Sequence, residues 1–177
     1  SDLMKAFSKN DLERFQAYLA SLEKGETTIN AGAVYPYDII KNLRQGNTQG
    51  ADAQWNALPN YMEGNNEILL PMVDVSGSMT SSRAGNSSTI SCYDVAVSLG
   101  LYISERNVGA FKDAFVTFTS RPTLQYLKGS LSERYDQMGG PVGYDTNLEA
   151  AFIMVLNKAV EFSVPQSEMP TMILVLS

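Results

Sequence analysis

The residues best placed to do chemistry are a carboxylate and two hydroxyls at alternate positions, Asp74, Ser76 and Ser78. They follow the apolar run 68–73, which predicts a strand buried on both faces. Ligands of open α/β sheets bind beyond the carboxyl ends of the strands, where this segment would lie. The i, i+2, i+4 spacing lets one tight loop aim three oxygens at a common point, and Gly77 permits the backbone to turn.

Such oxygen ligands suit a hard divalent cation, and we expect Mg²⁺, with Mn²⁺ or Ca²⁺ as alternatives. The set carries only one negative charge, so a cation bound there keeps electrophilic character and open coordination positions. We therefore expect an anionic ligand from outside, such as an Asp or Glu side chain of a partner protein. The plain alternative is a strand end that turns with ordinary Asx and Ser hydrogen bonds.

Composition excludes several other classes of protein. The chain has 177 residues, a net charge of -6, one cysteine and no histidine. An internal disulfide, a His-containing catalytic triad and a His-ligated zinc site are therefore excluded, and the acidity argues against nucleic-acid binding by bulk charge. No apolar run approaches the roughly 20 residues of a membrane span. We expect an intracellular, cytoplasmic protein that does not bind membranes.

Hydrophobic periodicity predicts the elements that position the motif. The first third is helical, with helices over about 9–24, from Pro36 to before Gly46, and from Trp55 to Met62. After Glu67 we predict strands over 68–73, 114–119, 123–127 and 172–176, and helices over 90–106, 131–138 and 147–163. The last helix is expected to bury Leu148, Phe152, Val155, Leu156 and Val160.

This order predicts an α/β fold: a doubly wound, mostly parallel sheet with helices on both faces, preceded by a short helical segment. The predicted division is a helical N-terminal segment, 1–64, and an α/β domain, 65–177.

The motif Asp74-Val75-Ser76-Gly77-Ser78 resembles the Asp-x-Ser-x-Ser signature of the metal-ion-dependent adhesion site (MIDAS). That site defines the von Willebrand factor A, or integrin I-like, domain, whose fold is Rossmann-like. The family takes a further threonine ligand from a glycine-rich loop that leads into a helix, and 139–148 is similar to that loop. The resemblance implies Thr146 as the fourth ligand. Its neighbours Asp145 and Asn147 are candidates to support the ligands by hydrogen bonding, with helix capping as the alternative role for Asp145.

The family's remaining ligand is an aspartate at the end of the next strand, which resembles 171–176. The sequence ends at Ser177 without it. Either the chain is a fragment or that ligand is missing. We prefer the fragment, so the domain over 65–177 is expected to be truncated at its C-terminus.

An apolar helix followed by residues 29–40, leading to such a domain, resembles two related groups of proteins. One is an uncharacterised family of intracellular and viral proteins, and the other is the Ro (TROVE) family of RNA-binding ring proteins. The element Pro36-Tyr37-Asp38-Ile39-Ile40 resembles the segment between the ring and the A domain. Ro proteins bind RNA through a helical ring that is largely absent here, so RNA binding is expected only through parts outside this chain.

The resemblance implies a non-catalytic, divalent-metal-dependent protein-binding module. Two alternatives remain: the A domain of a Ro-like ribonucleoprotein, and a structural or scaffold domain with a vestigial metal site. An enzyme is not expected. Haloacid-dehalogenase-like phosphatases need a second aspartate where this chain has Ser76, and the chain has no Gly-Lys-Ser or Gly-Lys-Thr phosphate loop.

Overall fold

A computed structural model describes residues 34–143 and 145–177. The predicted helix over 9–24 lies outside the described residues. Within them the chain is α/β, as predicted. The helices are α1 (Pro36–Arg44), α2 (Ala51–Asn56), α3 (Gly77–Ser81), α4 (Cys92–Arg106), α5 (Leu131–Met138) and α6 (Leu148–Glu161). The strands are β1 (Leu69–Val73), β2 (Ala114–Thr117), β3 (Thr123–Tyr126) and β4 (Met172–Leu176).

The four strands form one mixed sheet in the order β3-β2-β1-β4. β1 pairs in parallel with β2 and with β4, whereas β2 and β3 are antiparallel. The carboxyl ends of β1, β2 and β4 therefore meet at the same edge of the sheet.

The two faces of β1 belong to two separate apolar clusters. Leu69 and Val73 lie in a cluster with residues of α1 and α4, whereas Leu70 and Met72 lie in one with residues of α6. Alternate side chains of a strand point to opposite faces, so helices pack against both faces of this sheet.

Pro71 lies within β1 although proline removes a donor from the ladder. The carbonyl of Val73 accepts a hydrogen bond from Phe118 on the β2 side, so the backbone of Pro71, two residues earlier, faces the same side. Pairing with β2 begins only at Met72. The N–H that Pro71 lacks would therefore point to the β2 side before the pairing with β2 begins, so no hydrogen bond of the ladder is lost.

Helix α1 is joined to α4 by a partly buried ion pair. The guanidinium of Arg44 in α1 donates from Nε and Nη2 to the two carboxylate oxygens of Asp94, at 2.8 and 3.0 Å. These hydrogen bonds raise the pKa of Arg44. Asp94 is fully buried and also forms the capping box that begins α4 with Ser91. Trp55 of α2 is buried in the apolar cluster that contains residues of α1 and α4, so residues 34–64 contribute to the core. The predicted division at 64/65 stays a prediction.

Most predicted elements are confirmed, and the strand over 114–119 is shorter, ending at Thr117. The predicted helix from Trp55 to Met62 is wrong: α2 ends at Asn56, and turns follow. The short helix α3 lies between the predicted strand 68–73 and the predicted helix 90–106, where no element was predicted.

The predicted buried face of α6 is confirmed in part. Val155 is buried and Leu148 packs against the same apolar cluster, whereas Phe152, Leu156 and Val160 are exposed. Ala151 and Ala159, one residue before two of the exposed positions, are buried instead.

Among the described helices, none combines the length and the apolar character that a membrane crossing requires.

Gly100 in α4 provides the first test of this packing. A Cβ at this position would lie 2.5 Å from Val73 Cγ2 and 2.9 Å from Phe115 Cε2. Both neighbours are fully buried, so Gly100→Ala should overpack the core and lower the free energy of unfolding by about 1–3 kcal/mol, measured by urea denaturation. Gly140→Ala is the matched control, since its Cβ would meet nothing within 4 Å. An equal effect of the two substitutions would contradict the packing of α4 on β1.

Arg44→Met tests whether the N-terminal helices and the sheet unfold together. The substitution leaves the buried Asp94 carboxylate without its cation, so we expect a loss of about 3 kcal/mol and one cooperative urea transition. Lys41→Met is the control on the same helix, because Lys41 has no ion pair within the described part of the chain. Two separate transitions in the unsubstituted protein would show that the helices fold independently of the sheet.

Candidate functional site

Asp74 lies at the carboxyl end of β1, between the ends of its two neighbours. Its backbone N–H donates to the carbonyl of Leu176 at 2.9 Å, which continues the β1–β4 ladder by one residue. On the other side the N–H of Phe118 donates to the carbonyl of Val73 at 3.1 Å. The position of the Asp74 backbone is therefore set by two strands distant in sequence.

The Asp74 side chain is buried, with 4% of the residue exposed. Its Oδ1 accepts the Ser76 backbone N–H at 2.9 Å, and its Oδ2 accepts the Ser177 hydroxyl at 2.8 Å. Both donors are neutral. None of the ion pairs among the described residues includes Asp74. Burying a charged carboxylate costs free energy unless a basic side chain or a bound metal ion compensates its charge.

The two motif serines lie at the start of α3, Ser76 immediately before the helix and Ser78 in its first turn. Ser76 is buried and immediately precedes the helix, but its hydroxyl makes no capping hydrogen bond. Instead Ser76 Oγ lies 3.1 Å from Ser78 Oγ. Ser78 is exposed, so the set runs from a buried carboxylate to an exposed hydroxyl.

The glycine-rich loop predicted to supply the fourth ligand lies against this turn. The N–H of Val142 donates to the carbonyl of Val75 at 3.0 Å, and the N–H of Gly77 donates to the carbonyl of Gly143 at 3.1 Å. Gly143 has φ +74°, a left-handed conformation that favours glycine. The structure therefore brings the two predicted loops together at one edge of the sheet.

Thr146 and its neighbours Asp145 and Asn147 are exposed at the end of that loop. The N–H of Asn147 donates to the carbonyl of Thr119, just beyond β2, at 3.2 Å, and its Oδ1 accepts the N–H of Ala150 at 2.9 Å. The Asn147 side chain thus caps α6. Thr146 lies beside this anchored residue. Its role as a ligand, and a supporting role for Asp145, stay predictions.

The sequence pattern did not predict the hydrogen bond from Ser177 to Asp74. A signal was available, since Ser177 directly follows a predicted buried strand. The contact could not be predicted without the strand order, because Ser177 reaches Asp74 only if β4 lies next to β1.

One distance in the motif, the hydrogen bond between its two serine hydroxyls, is also compatible with two ligands of a divalent cation. Two oxygens that bind Mg²⁺ at right angles and 2.0–2.1 Å lie roughly 2.9 Å apart, close to the 3.1 Å between the Ser76 and Ser78 hydroxyl oxygens. The described residues contain no cluster of three or more acidic or thiol side chains. Any cation at the motif would therefore depend on hydroxyl oxygens beside the single carboxylate of Asp74.

Comparison with known proteins places the chain among families without an assigned function. Residues 1–68 match the family described as Domain of unknown function (DUF2828), and residues 69–177 match the family described as Domain of unknown function (DUF7788). Neither description mentions a metal, a nucleic acid or a reaction.

A relative from Acanthamoeba polyphaga mimivirus, described as uncharacterized protein L728, is 28% identical over 161 residues. The match covers 88% of this chain but 27% of that protein, so the chain spans about a quarter of its relative. No solved structure matches. Since residues 69–177, more than half of the chain, match one family, the chain belongs to the family described as Domain of unknown function (DUF7788).

Proposed function

We propose that this chain is a non-catalytic protein-binding domain of the von Willebrand A type that depends on a divalent cation. The observation that carries the proposal is the buried Asp74 carboxylate, which has neutral donors and no basic partner within the described residues. The hydroxyls of Ser76 and Ser78, which follow it in the chain, are hydrogen-bonded to each other at 3.1 Å, a separation that also suits two ligands of an octahedral cation.

In this proposal Asp74, Ser76, Ser78 and Thr146 hold Mg²⁺, with Mn²⁺ or Ca²⁺ as alternatives. The bound cation supplies a strong electrophile for an acidic side chain of a partner protein. Only one of these four ligands is charged, so the cation's positive charge is incompletely neutralised and an anionic ligand is favoured. The exposure of Ser78 and Thr146 supports access from solvent.

Binding is favoured over catalysis because the one carboxylate of the motif, Asp74, is assigned to the cation. The chain has no histidine, and its single cysteine, Cys92, begins α4 rather than joining the motif. The finer fold assignment, a doubly wound sheet of the Rossmann-like type, is part of the proposal and is supported by helices on both faces and two parallel pairings. We also propose a cytoplasmic location, which a chain with one cysteine permits.

Asp74→Asn tests the cation site without requiring a known partner. In chelator the variant should be at least as stable as the unsubstituted protein, because a buried charge without a cation has been removed. Added Mg²⁺ at about 100 times its Kd should stabilise the unsubstituted protein by about 2.7 kcal/mol and the variant not at all. Thermal unfolding and isothermal calorimetry measure these effects.

Asp136→Asn, which removes an exposed charge on α5, is the control and should keep the full response to Mg²⁺. If Mg²⁺ neither binds to nor stabilises the unsubstituted protein, the proposed metal site is overturned. The alternative of a structural or scaffold domain with a vestigial metal site is then favoured.

The acidic-ligand proposal is tested by selecting displayed random peptides on the protein in excess Mg²⁺. Selected peptides should share an Asp or Glu whose replacement by Asn or Gln abolishes binding. Chelator and Asp74→Ala should each release them, whereas Asp136→Asn should not. Peptides that bind equally well in chelator and to the Asp74→Ala variant would overturn the metal bridge, and enrichment without any acidic residue would overturn the ligand class.

A further inference from the structure

The register of β1 against β4 determines which residues meet at the cation site. The last paired residues are Val73 and Leu176, and the strands are parallel. Asp74 and Ser177 therefore form the next pair across the ladder, with their side chains on the same face. Because the two side chains lie next to each other, the Ser177 hydroxyl donates a hydrogen bond to Asp74 Oδ2 at 2.8 Å.

The two oxygens of Asp74 are held by different parts of the chain. Oδ1 accepts from Ser76, within the same turn, whereas Oδ2 accepts from Ser177, about a hundred residues later. The terminal torsion of an aspartate is broad, so the local hydrogen bond alone leaves the carboxylate plane loosely defined. The second donor, from a neighbouring strand, restricts that rotation.

The chemical type of this second donor matters as much as its position. An Arg or Lys at the end of β4 would orient the carboxylate but also neutralise it. A hydroxyl orients Asp74 and leaves its negative charge available to a cation. Ser177 is not one of the four predicted ligands, so its hydrogen bond is a separate feature of the site.

We propose that Ser177 is a positioning residue that holds the Asp74 carboxylate in the orientation required to bind the divalent cation. This inference rests on the proposed cation site. It adds β4 to the two loops that build the site, and it makes cation affinity depend on the register of β4 against β1.

The test compares Ser177→Thr with Ser177→Val, two side chains of nearly the same shape that differ in the hydroxyl. Calorimetric titration of Mg²⁺ into the intact chain should give a Kd roughly 10-fold to 100-fold weaker for the Val variant, as for other residues that support metal ligands. The Thr variant should stay within about 3-fold of the unsubstituted protein. Ser120→Ala, an exposed serine beyond the end of β2, is the control and should leave the Kd unchanged.

Thermal unfolding in chelator separates positioning from a merely structural role. If the Val variant is less stable in chelator but binds Mg²⁺ with an unchanged Kd, Ser177 only supports the fold and the inference is overturned. The same holds if the Thr variant loses as much affinity as the Val variant.

The two proposals fail in distinguishable ways. Loss of Mg²⁺ binding in Asp74→Asn together with full affinity in Ser177→Val overturns only the positioning role. Absence of Mg²⁺ binding by the unsubstituted protein overturns both the cation site and the role of Ser177.

Discussion

The parallel pairing of β1 with both β2 and β4 is the constraint on which the rest of the structure depends. Because the three strands run in the same direction, their carboxyl ends meet at one edge, and the polar residues that follow them lie together there. β1 is buried on both faces, which leaves the carboxylate of Asp74 at the boundary between an apolar core and solvent. The hydrogen bonds from Ser76 and Ser177 are consequences of that placement.

Two buried carboxylates illustrate how their partners determine their roles. Asp94 receives the guanidinium of Arg44 and the hydroxyl of Ser91, so its charge is neutralised and it joins α1 to α4. Asp74 receives only neutral donors. A buried carboxylate paired with Arg is already neutralised and attracts a cation only weakly. One that accepts hydrogen bonds from N–H and O–H groups has no opposite charge beside it. This contrast separates the structural acid from the candidate ligand within the same domain.

Residues 34–64 are tied to α4 by the Arg44–Asp94 ion pair and by the burial of Trp55 in the apolar cluster that α4 shares. The two family matches divide the sequence at residue 69, but the core includes residues from both sides of that point. The limits of a family match need not coincide with those of a hydrophobic core, because the core includes every element whose apolar face must be buried. The ion pair and the shared core make α1 and α2 part of the support for α4.

The sequence by itself determined the α/β class, most element positions and the motif of Asp74, Ser76 and Ser78, because periodicity and spacing are local properties of the chain. The tertiary structure decided that β4 lies beside β1, that Ser177 meets Asp74, and that the loop of Gly143 contacts the loop of Ser76. It also decided which apolar residues of α6 are buried, since two overlapping apolar stripes run along that helix. These outcomes depend on strand order and on contacts between residues far apart in sequence, which hydrophobic periodicity does not encode.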